Sequence, residues 1–389
     1  MIAEVLEPGK EKFSSAKRIG ELLAEEIRKD EHFYLFSPDE TTSNRLDEVY
    51  EVTERLWGMR KEDWDLKESE QGRIVELLSE NALFGMMVGH LMNGERAMMT
   101  SYEAFFSVIL SQILQQIKFF KQSEEVDWRP KYPAVNLLST SVCWRQDHNG
   151  FSHQSPAMIS SLLAVPSGKV NCFFPVDDVA AEEAFRYMLT SENVVNLTTF
   201  DKNPLPRWID SNHAKFQIEN GGASVFQFVS EENPDFVFTA AGDIASREAI
   251  AAIRLLKEDL PEVRFRFVGI NSLTYQAIGT VEKKLSNEKF NEYFTTDKPI
   301  IGNFHGYAET LRGILVNYAY QDRLRIHGFS EEGSTTTPFE MLRRNGASRF
   351  DLMIDVAKEL KRVDLIEKYR GEIEKRRKFA VLNGVDLAD

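Results

Sequence analysis

Cysteine is nearly absent. Among 389 residues there are two, Cys143 and Cys172, each inside an apolar run, SVCW and VNCFF. Two thiols cannot form the set of bridges that holds small secreted domains together, and both read as buried, reduced thiols of a cytoplasmic protein. Long apolar runs are missing too. The best candidate, residues 81–94, is shorter than the ~18 residues of a helical span and contains His90, so membrane helices are excluded. The start, MIAEVLEPGKEK, has no apolar stretch after its charges and reads as no signal peptide. Cations are in deficit: 47 Lys and Arg against 61 Asp and Glu give −14. A surface of that sign repels nucleic acid and anionic membranes. No HExxH, Walker A, nucleophile elbow or glycine-rich dinucleotide fingerprint occurs. The nearest glycine-bearing turn, AGDIAS at 241–246, is too poor in glycine to cradle a pyrophosphate. His148 and His153 lie five apart around a glycine, with no cysteine or third histidine beside them, so no metal site is expected.

What is present is the composition of a soluble globular chain, 42% apolar and 28% charged, long enough for two domains with full cores. Apolar residues at Ile19, Leu22, Leu23 and Ile27 predict a helix over 17–29. Strands are predicted over 32–36, 74–78, 134–139, 170–176 and 193–200. Helices fit between them at 105–120 and 182–189, the latter capped by Asp177 or Asp178. Residues 210–222, polar and glycine-bearing, read as a linker or a boundary loop. A second series follows: strands at 235–243, 263–270, 299–307 and 324–329, and helices at 244–257, 309–318 and 349–362. Thr337 and Pro338 form a cap and first-turn pair, and 372–378 is a charged helix end. Such alternation predicts an α/β chain with two doubly wound, mostly parallel sheets, divided into residues 1–215 and 216–389.

In open parallel sheets ligands sit beyond the carboxyl ends of the strands. Five junctions of the first series carry polar clusters. These are SPDETTSNR with Ser37, Asp39, Thr41, Thr42, Ser43, Asn44 and Arg45, then Ser79-Glu80-Asn81, and TSYEAFF with Ser101, Tyr102 and Glu103. The fourth is the dense run TSVCWRQDHNGFSHQ, and the fifth is Asp201-Lys202. Taken singly, each piece also reads as a solvated loop; Glu80, for instance, could be a carboxylate at a helix start. Together they outline one rim.

The dense run carries a family likeness. WRQDHNGFSHQ (144–154) closely resembles the signature of the phosphoketolases, thiamine-diphosphate enzymes that cleave sugar phosphates to acetyl phosphate. FSPDETTSNRL, LLSEN, SYEAF, DKNP, TTDKPIIGNFHGY and GFSEEGSTTTPFEM resemble further family segments, in family order, over nearly the whole chain. The likeness is to the family's second half only, the transketolase-like pyrimidine-binding domain (1–215) and C-terminal domain (216–389). The half that would bind the diphosphate and Mg²⁺ has no counterpart, and no GDG motif occurs. With its own Met just before the first helix, the chain resembles one subunit of a split enzyme. The resemblance implies a separate partner resembling the N-terminal half, an α₂β₂ assembly, and apolar surface left exposed on the lone chain.

The implied reaction cleaves a ketose phosphate, of the xylulose 5-phosphate or fructose 6-phosphate class, with inorganic phosphate. The resemblance gives Glu80 the carboxyl that bonds to the cofactor's aminopyrimidine. That role requires a buried group with a raised pKa, a demand that Leu77, Leu78 and Leu83 fit. It places Tyr102 and Phe105 as aromatic walls of the cofactor site. His153 becomes the general acid for water loss, and His148 a second proton-transfer or substrate residue. Ser43, Gln146, Asn149 and Lys202 match phosphate and substrate contacts, and Arg45 a grip on the distal sugar phosphate. Two departures stand near the site: Asn81 for the family's histidine, and Val142-Cys143 for a His-Val pair. They leave two alternatives open, a thiamine-dependent transferase of a two-carbon unit to an organic acceptor, and a non-catalytic subunit that only binds a partner.

Overall fold

The computed structural model describes residues 7–38 and 40–388; Asp39 of the first polar cluster and the six N-terminal residues lie outside that range. Two sheets dominate. In the first, ten strands run in the order Ala277–Ile278, Ser272–Thr274, Val170–Phe173, Val195–Thr199, Val135–Thr140, Ala97–Tyr102, Tyr34–Ser37, Ile74–Glu76, Arg55–Leu56, Glu68–Ser69. All neighbours from Val170–Phe173 to Glu68–Ser69 are parallel. The second sheet has five strands in the order Ala223–Val225, Phe265–Ile270, Phe236–Ala241, Ile300–Tyr307, Leu324–Phe329, parallel except for the first pair. The α/β architecture with two mostly parallel sheets is thus as the alternation predicts.

Local chemistry sets the elements. Helix Ser15–Lys29 starts where the Ser14 hydroxyl accepts from the Lys17 N–H at 3.1 Å, and buries Ile19, Leu22, Leu23 and Ile27. Such a cap is worth about 1 kcal/mol. Helix Asp178–Thr190 is capped by Asp177, whose carboxylate accepts from the Ala180 N–H at 2.9 Å and also holds Trp208 and Ile209. The predicted helix at 105–120 is divided: a 3-10 segment, Glu103–Ile109, precedes α-helix Leu110–Ser123.

Three expectations need correction. Residues 210–222 are not a linker: Asp210 caps helix Ser211–Glu219, and strand Ala223–Val225 follows. The central strand Ala97–Tyr102 was not expected, because AMMTSY has little β-branched character. The charged stretch at 372–378 belongs to a long helix, Val363–Asn383, closed by Gly384 at φ +68°.

The two sheets share a core. One apolar cluster runs from Leu83, Phe84 and Phe106 to Val237, Ile270 and Phe304. The strands also interlock. After Phe265–Ile270 of the second sheet the chain crosses over, and Ser272–Thr274 pairs antiparallel with Val170–Phe173 of the first. Cys143 and Cys172 are both buried free thiols, as expected. No helix among the described residues is long and apolar enough to cross a membrane.

Candidate functional site

The five strands that carry the polar clusters are consecutive neighbours: Val195–Thr199, Val135–Thr140, Ala97–Tyr102, Tyr34–Ser37 and Ile74–Glu76. Being parallel, they deliver their carboxyl ends to one rim. The loop after Tyr34–Ser37 brings Ser43, whose hydroxyl lies 3.2 Å from the Tyr102 hydroxyl. Arg45 of the same loop and Ser141 beyond Val135–Thr140 both take left-handed backbone, φ +60° and +51°. Non-glycine residues adopt that conformation at a cost and concentrate at functional loops. The Ser141 hydroxyl donates to the buried Asn44 side chain at 3.0 Å, tying the two loops.

Aromatic rings form the middle of the rim. Tyr102 and Phe105 stack with centroids 5.9 Å apart and planes 12° off parallel. His153 meets Phe105 edge-on at 5.1 Å and Tyr102 at 6.3 Å. The Lys202 ammonium sits 5.2 Å over the Tyr102 ring. Ser152 fixes His153 through Nδ1 at 2.9 Å, and Nε2 has no hydrogen-bond partner among the described residues. The Ser14 hydroxyl that caps the first helix also donates to the Lys202 carbonyl at 2.7 Å, anchoring that loop. Burial lowers the Lys202 pKa, Arg45 adding to the effect while Asp201 and Glu40 oppose it.

Glu80 begins helix Glu80–Met92, where the dipole favours a carboxylate. The Ser101 hydroxyl reaches its carboxylate at 3.5 Å. The expected apolar wrap is incomplete. Leu83 is buried, but Leu77 is exposed and Leu78 is 80% exposed, because both follow the strand end and face away from the chain. Glu80 itself is only half-buried. Sequence reasoning missed a second carboxyl here, Glu40. Burial raises its pKa to about 8, and the charge of Glu80 adds to this; the Tyr102 N–H (3.1 Å), Asn44 and Lys202 work the other way. Its place inside SPDETTSNR was visible, but its burial was not.

Gln146 is buried; its carbonyl oxygen accepts from Asn149 at 2.7 Å, while its own amide nitrogen has no protein partner. Such an orphaned donor suits an acceptor supplied by a ligand. Gln154 clamps this loop, donating to the Gln146 carbonyl at 2.7 Å and to Ser334 at 3.1 Å. The loop after Leu324–Phe329 therefore supports the site from below, with the Thr336 N–H donating to Asp147 at 3.0 Å. Not every candidate joins the rim's contacts. His148 is exposed, and the charge it meets is Asp147. Ser43, Arg45 and Asn149 are exposed but stand on the rim. Val142 and Cys143 are fully buried in an apolar cluster with Trp144, Phe329 and Met341, so they reach the rim only through packing. Asn81 is exposed, its side chain 3.5 Å from the Val108 carbonyl.

The rim fits one half of a cofactor. Paired aromatic faces beside a helix-start carboxylate suit a flat nitrogen heterocycle, and Arg45 with Lys202 suits a phosphate. A diphosphate with its metal is not served. Among the described residues the one His/Cys/Asp/Glu group of metal-binding size is Glu103, Cys143 and His305, which is buried and bonded within itself.

Residues 17–191 match the model of the D-xylulose 5-phosphate/D-fructose 6-phosphate phosphoketolases, and residues 202–389 match that family's C-terminal domain. The chain belongs to the phosphoketolase family. It is 34% identical to a probable phosphoketolase of Pseudomonas putida over 92% of this chain and 46% of that one. It is 37% identical to one of Synechococcus elongatus over 90% and 45%. The chain thus spans about half the length of the curated phosphoketolases it matches. Transketolase from Leishmania mexicana shares the fold at TM-score 0.69 and 15% identity, over 92% of this chain and 46% of its own. A split-gene transketolase, described as an inactive beta4 tetramer, matches at TM-score 0.62 and 16% identity, over 90% of this chain and 99% of its own.

Proposed function

We propose that this chain is the pyrimidine-side subunit of a split phosphoketolase, dependent on thiamine diphosphate and active only with a partner that supplies the other half of the site. One observation carries this: the rim holds Glu80, the Tyr102–Phe105–His153 cluster, Gln146 and Lys202 together, while its described residues include no ligand group for the Mg²⁺ of a diphosphate. The match to half of each curated relative, and to a split-gene neighbour of the same extent, supports the same reading. We divide the chain at residue 215, the first unit carrying the rim and the second, 216–389, supporting it and dimerisation. The assembly we infer is α₂β₂, in the cytoplasm, with Mg²⁺ held by the partner.

When bound, the cofactor would supply the carbanion chemistry that breaks a carbon–carbon bond. Glu80 would share a proton with a ring nitrogen of its pyrimidine, and the partner's surface would complete the burial that Leu77 and Leu78 lack. Glu40, protonated near neutrality, would hold a proton next to Glu80. His153, with Nε2 open to the rim, would donate the proton that leaves with water. Lys202 and the Gln146 amide would hold inorganic phosphate, and Arg45 the distal phosphate of a ketose such as xylulose 5-phosphate or fructose 6-phosphate. His148 would touch substrate only from outside the aromatic cluster.

The test is a pull-down of the tagged chain from its host with thiamine diphosphate and Mg²⁺ present. A stoichiometric partner with a GDG-type motif, and acetyl phosphate scored as hydroxamate, are the expected results. Cleavage of the ketose without acetyl phosphate would instead mean transfer to an organic acceptor, for which exposed Asn81 at the rim gives an opening. No partner and no cofactor binding would leave a subunit with a purely structural role.

A further inference from the structure

Behind the rim, where the two sheets meet, lies a set of buried charges that the reaction does not use. Glu103, His305, Asp201 and Asp243 are each 2% exposed or less. Glu103 and His305 are 202 positions apart, one at the end of a first-sheet strand and the other within Ile300–Tyr307 of the second. His305 Nε2 lies 2.6 Å from one Glu103 oxygen, and the Cys143 N–H donates to the other at 2.6 Å. The Trp144 indole donates to the His305 carbonyl at 2.8 Å. Asp243 accepts from the Asp201 N–H at 2.7 Å, and Arg145 pairs with the Asp201 carboxylate at 3.0 Å.

Backbone is shaped to permit this approach. Gly242 sits at φ +111°, and a β-carbon there would lie 2.8 Å from that of His305. A metal tripod of Glu103, Cys143 and His305 is the obvious competitor. Both Glu103 oxygens, however, already accept hydrogen bonds, and burial, reinforced by Glu103, holds Cys143 as a thiol. The cluster is a closed carboxylate–imidazole pair instead. Burial disfavours charge on His305, but Glu103, Asp243 and Asp201 outweigh it and the His305 pKa is raised.

The members on the first sheet's side are each adjacent in the chain to a rim residue. Glu103 follows Tyr102, Arg145 precedes Gln146, and Asp201 precedes Lys202. We propose that His305 is a positioning residue, an imidazolium supplied by the second sheet that, through Glu103, Asp243 and Asp201, sets where Tyr102, Gln146 and Lys202 stand. Fixing strand ends from a rigid element behind them is how a site is held to sub-ångström tolerance. The assignment rests on the rim being the site, and it makes the second unit a determinant of that site's geometry.

The test reads the rim without needing activity. In the full chain with labelled histidines, His305 is expected to stay protonated at pH 7.5. The resonance of His153, which packs on Tyr102 and Phe105, is expected to shift as His305 changes protonation. His305→Gln should shift the His153 resonance while the fold, followed by circular dichroism, persists. Combining it with Glu103→Gln, which replaces the ion pair by two amides, should bring the resonance most of the way back. A neutral His305 at pH 7.5, or a folded His305→Gln chain with an unmoved His153 signal, would overturn the proposal. If the variant does not fold, the wild-type titration alone decides. The split-enzyme reading fails on a different observation, the lack of a partner and of cofactor binding, so the two can fail separately.

Discussion

Two carboxyls, one over the second sheet and one at the rim of the first, have opposite fates. Glu248, on helix Asp243–Asp259 over the second sheet, is fully buried between Arg349 and Arg247. Burial would raise its pKa, but the two guanidiniums prevail and bring it to about 2. Glu40, at the rim of the first sheet, has no such partner and rises to about 8. The difference separates a closed end from an open one. The chain neutralises its own charge at Glu248, and at the rim it leaves a carboxyl with a raised pKa and the orphaned Gln146 amide.

The largest effect should come from attacking the open end. In the reconstituted complex, Glu80→Gln is expected to lower activity on the order of 10²–10⁴-fold with unchanged circular dichroism; full activity would remove the rim from the reaction. At the closed end, Glu248→Ala leaves the buried Arg349 and the partly exposed Arg247 without their anion and should cost about 3–5 kcal/mol in urea unfolding. The stabilisation from Glu248 is present above pH ~4.5, its ordinary value, and is lost as pH falls towards 2. Glu40 has the reverse sign. Its neutral form favours the folded state fully below pH ~4.5, and that contribution declines as pH rises through about 8. Glu40→Gln should therefore flatten the stability–pH profile between pH 5 and 9, and superimposable profiles would break the contrast. The smallest effect on the lone chain belongs to Leu78→Ser, within about 0.5 kcal/mol, since Leu78 is 80% exposed. The same change should weaken capture of the partner, measured by retention on the immobilised chain.

Much of this was legible in the sequence, for a physical reason. Parallel strands buried on both faces read as apolar runs, so Val135–Thr140, Val195–Thr199 and Ile300–Tyr307 could be placed within a residue or two. Polar residues at the carboxyl ends of the first-sheet strands then fell on one rim. The illegible parts are of three kinds. Ala97–Tyr102 hides because AMMTSY has one β-branched residue and its alanine and methionines favour helix. Ser211–Glu219 hides because the glycines that follow it imitate a linker. Glu40 and the Glu103–His305 pair hide because burial and partners hundreds of positions away are not local properties. Leu77 and Leu78 mark the opposite error: apolar sequence was taken for burial, and the chain turns them outward.

The crossing of Ser272–Thr274 into the first sheet has a practical consequence. Cutting the chain near residue 215 would strip the cover from Val170–Phe173 and leave its backbone N–H and carbonyl groups open along an apolar edge. Such an edge recruits any strand that meets it, so the isolated first unit should precipitate as a self-templating aggregate. The two units are woven rather than joined, and must be produced as one.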